Sequence, residues 1–121
     1  MPFLSFAVRG HTRQAYSTYE TQWKAQIAGA ARQAAGAQSV SLPATTCPMR
    51  VRAIFYIVEP WLMRTDLDNL AKPLMDALFR PGLADVSAPF PFEDCCVTRL
   101  SLEKHGAGDP SQQGCEVRIE W

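Results

Sequence analysis

Arg64-Thr65-Asp66-Leu67-Asp68-Asn69-Leu70-Ala71-Lys72-Pro73-Leu74-Met75-Asp76-Ala77-Leu78 is the stretch around which the rest of the chain is read. Leu70, Leu74, Ala77 and Leu78 fall at i, i+4, i+7 and i+8, the spacing of one buried helical face. Asp66 and Asp68 stand just before that face, where helices favour Asp and Asn as caps. Pro73 lacks a backbone N–H and fits best in a first turn, whose donors have no intrahelical partner. The expected helix therefore starts near Asp68 to Leu70 and runs from about Asn69 to Phe79, with both aspartates in the entering segment. In an extended segment, residues i and i+2 point the same way, so the two carboxylates would face one point, with Lys72 one helical turn beyond Asp68.

Two carboxylates facing one point repel unless a proton, a cation or a lysine lies between them. One reading is ordinary: Asp66 and Asp68 are solvated caps paired with Arg64 and Lys72. The other is chemical. Mg²⁺ takes oxygen ligands, often one or two carboxylates, and keeps its remaining positions for water and phosphate.

The chain of 121 residues suffices for one domain spanning 1–121 and is too short for two. Its 47% hydrophobic and 20% charged residues are those of a globular protein, and no apolar run approaches the roughly 18 residues of a membrane span. Met1 to Phe6 lacks the basic region and long apolar stretch of a secretory signal, which predicts a cytoplasmic protein. Cys47, Cys95, Cys96 and Cys115 contain no C-x-x-C pair, so free structural thiols are expected rather than a zinc site. The net charge is zero, but residues 1–65 carry seven basic and two acidic side chains, whereas residues 66–121 carry five and ten. That asymmetry fits a polyanion-binding face beside an acidic site; it fits equally two halves whose charges pair with each other.

Phe3 to Val8 reads as a first strand, and Arg9-Gly10-His11-Thr12-Arg13 as a basic loop. Ser17 to Ala35 reads as a helix with Trp23, Ile27, Ala30, Ala31 and Ala34 inward, capped by Ser17 or Thr18 with Glu20, and ended by Gly36. Met49 to Val58 alternates, with Val51, Ala53, Phe55 and Ile57 on one face and Arg50 and Arg52 on the other. After the central helix, Arg80-Pro81-Gly82 is a stop, and Leu83 to Pro91, with Asp85 and Ser87, reads as a loop. Glu93 and Asp94 open a strand that alternates to Lys104, and a Gly-containing turn leads to a last strand with Cys115, Val117, Ile119 and Trp121 on one face. Those last two strands suggest an antiparallel hairpin. The order β-α-β-α-β-β predicts an α+β domain: a mixed sheet of about four strands with two helices packed on it.

The run Asp66-Leu67-Asp68-Asn69-Leu70-x-Lys72-x3-Asp76-Ala77-Leu78, followed by Glu93-Asp94, resembles the RusA family of Holliday-junction resolvases found in phages and prophages. The resemblance is close over residues 49–121 and loose over residues 3–35, where the first loop is shorter and poorer in Pro and Asn. It implies that Asp66, Asp68 and Asp94 bind metal (Mg²⁺ or Mn²⁺), and that Lys72 is the catalytic lysine beside them. It also implies a homodimer that nicks four-way DNA junctions symmetrically in recombination and repair. No organic cofactor and no membrane partner is implied. Arg9, Arg13, Arg50, Arg52 and Arg64 are the candidate DNA contacts. Glu93 or Asp76 is a further candidate ligand, although Asp76 also has the spacing to pair with Lys72 or Arg80.

Two other readings stand beside the nuclease. One is a catalytically idle relative that binds branched DNA as a structural or packaging factor; the other is a carboxylate-metal enzyme acting on a small phosphorylated molecule. Only the DNA-binding readings require affinity that falls steeply with salt. His11 and His105 read as surface residues. Phe90 and Phe92 could wedge into a junction or pack at a dimer interface, but burial in the protein's own core is expected for at least one.

Overall fold

The computed structural model describes residues 2–79 and 88–121. Four strands form one sheet: β1 (Phe3–Arg9), β2 (Met49–Ile57), β3 (Val97–Gly106) and β4 (Gly114–Glu120), in the order β1-β4-β2-β3. β4 lies between β1 and β2 and is antiparallel to both, while β2 and β3 are parallel. Two helices, α1 (Glu20–Ala37) and α2 (Leu67–Leu78), complete the β-α-β-α-β-β order. The expected mixed four-stranded sheet with two helices is what the chain forms.

Alternation makes the sheet two-sided. Val51, Ala53, Phe55 and Ile57 of β2 are buried with Leu4, Phe6 and Val8 of β1 and Val117 and Ile119 of β4. Against this face pack Trp23, Ile27 and Ala31 of α1, and Leu70, Leu74 and Leu78 of α2. Each fully buried large side chain contributes roughly 1.5–3 kcal/mol, so this one face holds the domain together. The opposite face carries Arg50 and Arg52 of β2, Arg99 and Glu103 of β3, and Glu116 and Arg118 of β4, by register. It is open and charged.

Several local expectations are corrected. β3 and β4 do not form a hairpin; β2 separates them, β3 pairing with one of its edges and β4 with the other. A parallel β2–β3 pair needs a crossover, and α2 supplies it. α1 starts at Glu20 with Tyr19 as its cap and no side-chain capping bond. Glu20 instead accepts from the backbone N–H of Tyr16 at 2.7 Å, four residues back. Gly36 lies inside α1, which ends at Ala37. α2 starts at Leu67, two residues before the expected range, so Pro73 lies in its second turn rather than its first.

The stop Arg80-Pro81-Gly82 and the loop residues Asp85 and Ser87 lie outside the described residues. Phe90 is fully buried and stacks on Phe79 with ring centroids 5.2 Å apart, and Phe92 packs partly buried beside them. Core burial is thus what both phenylalanines show. Among the described residues, no helix is long and apolar enough to cross a membrane.

Candidate metal centre and nucleic-acid face

From the end of β2 the chain makes a short 3-10 turn, Trp61–Arg64, before entering α2. Thr65 is buried, and its Oγ1 donates to the Trp61 carbonyl at 2.8 Å. From β3, Lys104 Nζ donates to the Leu62 and Thr65 carbonyls, both at 2.8 Å. One ammonium therefore ties the turn to the sheet and sets where the next residue, Asp66, begins. Sequence reading missed Lys104, because nothing local links it to carbonyls some forty residues away.

Asp66 is the extended N-cap of α2 (φ −84°, ψ 135°) without a capping bond, and Asp68 lies in the first helical turn. The expectation of two aspartates in one extended segment is corrected: only Asp66 is extended. Both carboxylates are exposed, and neither has a hydrogen-bond or ion-pair partner among the described residues. They sit at the end of the helix whose unpaired N–H groups favour negative charge. Asp68, Lys72 and Asp76 follow at i, i+4 and i+8 along α2. Lys72 pairs with Asp76, Nζ to Oδ2 at 3.2 Å. The hydrogen bond from Lys72 to Asp76, reinforced by the charge of that carboxylate, raises the lysine above its ordinary pKa. Pairing with Asp76 thus favours the charged form of Lys72.

The basic loop after β1 docks on the start of α2. The Ala15 N–H donates to the Asn69 carbonyl at 2.8 Å, and Asn69 Nδ2 meets Gln14 Oε1 at 3.4 Å. Arg13 stacks over the Tyr19 ring at 4.7 Å, and Arg64 lies over Trp61 at 5.9 Å. Arg64 stands two residues before Asp66, and Arg13 belongs to the loop that docks on the start of α2. Arg9, Arg50 and Arg52 instead lie on the open sheet face, 3.8 Å from Glu116, 4.0 Å from Glu120 and 3.4 Å from Glu103 respectively. Basic side chains from the first half of the chain thus pair with acidic ones from the second. Such exposed pairs contribute little to stability and are readily exchanged for phosphate. Arg99 and Arg118 join the same face, and a depression of about 640 Å³ runs between Arg50, Arg52, Arg99 and Glu103.

Asp94 and Glu93 lie elsewhere. Asp94 opens a 3-10 turn directly before β3, and Val97 at the start of β3 pairs with Met49 at the start of β2. Asp66 follows the far end of β2. At roughly 3.3 Å per residue, the two places are on the order of 25 Å apart along the sheet. Among the described residues of one chain, no three Asp, Glu, His or Cys side chains are grouped to hold a metal.

The remaining candidates are quickly placed. His11 and His105 are exposed, with His105 Nε2 3.7 Å from Glu103 Oε1. All four cysteines are free. Burial pushes the Cys115 thiol up to about 12, which leaves it inert at neutral pH.

Among curated proteins, nothing matches the chain. A family profile described as Endodeoxyribonuclease RusA does match, over residues 5–120, nearly from end to end. With its paired aspartates at the head of α2 and its lysine one turn on, the chain belongs to the RusA endodeoxyribonuclease family.

Proposed function

We propose that this protein is a divalent-metal-dependent endonuclease that nicks four-way DNA junctions as a homodimer in the cytoplasm, in recombination and repair. One observation carries the reading. A member of an endodeoxyribonuclease family presents two exposed, uncommitted carboxylates at a helix N-terminus held in place by Lys104. That donor set fits a hard cation such as Mg²⁺ or Mn²⁺, which takes oxygen ligands and one or two carboxylates. When bound, such a cation supplies a Lewis acid for the scissile phosphate and an acidified water. Asp66 and Asp68 would hold it; Asp94 of the same chain lies too far along the sheet to reach it, so the third carboxylate would be Asp94 of the partner subunit in the homodimer.

The chain's own groups do the rest. Lys72, whose charged form Asp76 favours, donates to phosphate oxygens as negative charge builds on them. Arg13 and Arg64 orient the strand beside the aspartates. Arg9, Arg50 and Arg52 exchange their exposed glutamate partners for backbone phosphates further along the duplex.

The test is cleavage of a synthetic four-way junction with Mg²⁺, set against a linear duplex and the Asp68→Asn variant. Junction-selective nicking that falls by roughly 10²-fold or more in the variant, with an unchanged thermal midpoint, is expected. Equal cleavage by Asp68→Asn would remove Asp68 from the mechanism. The separation of Asp94 from the other two aspartates within one chain favours a second reading, a branched-DNA binder without cleavage. Salt-sensitive junction binding with no nicking would establish it.

A further inference from the structure

Tyr16 is 87% exposed and holds a left-handed backbone conformation, with φ 64°. Residues other than Gly, Asn and Asp rarely adopt it, because the Cβ crowds the following carbonyl. The turn that carries Tyr16 runs from Gln14 to Ser17 and is closed by the Ser17 N–H donating to the Gln14 carbonyl at 3.3 Å. Positive φ at the third position of such a turn favours Gly or Asn. An aromatic residue there is strained, and a ring left in solvent recovers nothing through burial. Folding alone would favour another residue at this position.

The strain persists because the neighbouring elements fix the backbone. Two consecutive amides are tied to two different helices. The Ala15 N–H donates to the Asn69 carbonyl of α2 at 2.8 Å, and the Tyr16 N–H donates to the Glu20 carboxylate of α1 at 2.7 Å. Asn69 directly follows Asp68, so the turn presents Tyr16 beside the head of α2. Tyr16 and Glu20 are both close enough to Lys72 to act on its charge. Tyr19 is different, since the Arg13 guanidinium covers its ring at 4.7 Å. Among the described residues, no ring or cation lies over Tyr16.

A free aromatic face beside a site for phosphodiesters matches one chemistry above others, the π-face of a nucleobase. In a linear duplex each base is already stacked on both sides. Where strands cross in a four-way junction the stack is interrupted, and taking up a base costs least where its pairing and stacking are already lost. We propose that Tyr16 is a base-stacking residue that takes the exposed face of a nucleobase at the crossover and so sets the neighbouring phosphodiester beside Asp66, Asp68 and Lys72. Its place in junction recognition rests on the nuclease reading; its stacking on unpaired bases does not.

Binding without divalent metal tests this with no cleavage step. The probes are a labelled four-way junction, a linear duplex and a single strand, each titrated with the wild-type chain, Tyr16→Asn and Tyr16→Phe. Asn removes the ring and suits the left-handed conformation, so the thermal midpoint should stay level or rise. Junction and single-strand affinity should fall roughly 5- to 150-fold in Tyr16→Asn, the range of one base stacked on an aromatic ring. Duplex affinity should change little, and Tyr16→Phe should bind all three probes as the wild type does.

An equal loss on duplex and junction overturns the proposal, as does unchanged affinity for both the junction and the single strand. A thermal midpoint that drops in Tyr16→Asn overturns it too, because the ring would then serve the fold. A wild-type chain that holds duplex and junction equally counts against the junction reading alone, and the single-strand titration still decides the stacking.

Discussion

The backbone N–H of Ala15 donates to the carbonyl of Asn69 at 2.8 Å, and Asn69 is the residue four before Pro73. In an uninterrupted helix that carbonyl would accept from residue 73, which as proline has no N–H to give. The loop after β1 takes the place of the missing donor. Pro73 thus creates the docking point that holds Arg13 and Gln14 over the start of α2.

Replacing Pro73 by Ala restores a competing donor inside the helix. Hydrogen exchange should then be faster at the Ala15 amide, and the α2 amides should become better protected. The thermal midpoint should move little, because the roughly 3 kcal/mol penalty of an interior proline is relieved while buried ring contacts are lost. Unchanged exchange at Ala15 would show that the loop is held by other contacts.

Lys104 is the second device that places the site. Methionine at this position keeps the length of the side chain and removes both hydrogen bonds to the Leu62 and Thr65 carbonyls. Lys104→Met should cost roughly 2 kcal/mol, since hydrogen bonds from charged donors are among the stronger ones. Displacing Asp66 even slightly should also slow nicking by about tenfold or more. Lys104→Arg should recover part of both losses. Calorimetry and junction nicking on the two variants would decide this, and wild-type behaviour of the methionine variant would remove Lys104 from the positioning of Asp66.

Much of the fold was legible because each element has one apolar side. The β2 alternation and the Leu70, Leu74, Leu78 stripe of α2 place these elements directly, and both are buried as read. What failed was long-range. Whether β4 pairs with β3 or slips between β1 and β2 depends on edges that no local pattern encodes. The start of α2 was misread because the proline rule assumed a lost hydrogen bond, whereas Ala15, distant in sequence, supplies one. The carboxylates and Lys72 were legible as a motif, and the family profile reaches beyond the close part of the resemblance, covering residues 5–120. The split of charge between halves was legible too, but three of its arginines are engaged with glutamates of the other half.

Gly114 tests the register of the outer strand pair. It pairs with Arg9 at a positive φ of 142°, and an added Cβ would run into the Val8 carbonyl oxygen, a backbone atom that cannot swing aside. Gly114→Ala should therefore destabilise the protein by roughly 2–4 kcal/mol, combining backbone strain with a disturbed β1–β4 ladder. Gly29→Ala, inside α1 with open space around the new methyl, should instead stabilise by about 0.5–1 kcal/mol. Urea unfolding of both variants gives the two signs, and equal effects would contradict the strained turn at Gly114.

The Lys72–Asp76 pair makes a prediction about pH. Asp76 raises the lysine above its ordinary value, so the charged form is favoured in the folded protein. Stability from that preference is fully present below the ordinary lysine value and is lost as pH rises through the folded one. The pair is half exposed, and its lysine precedes the acid, the weaker orientation at this spacing. Its contribution to the thermal midpoint should accordingly be small. Its effect on chemistry should be plain, because in the proposed function Lys72 must stay charged to neutralise a phosphate. In Asp76→Asn the largest raising influence is gone, and only the smaller ones of Tyr16 and Glu20 remain against the burial that lowers the lysine. The alkaline limb of the nicking profile should then move to lower pH while the rate near neutrality changes little. An alkaline limb that stays in place in Asp76→Asn, with Lys72→Ala inactive at every pH, would show that Lys72 acts without help from Asp76.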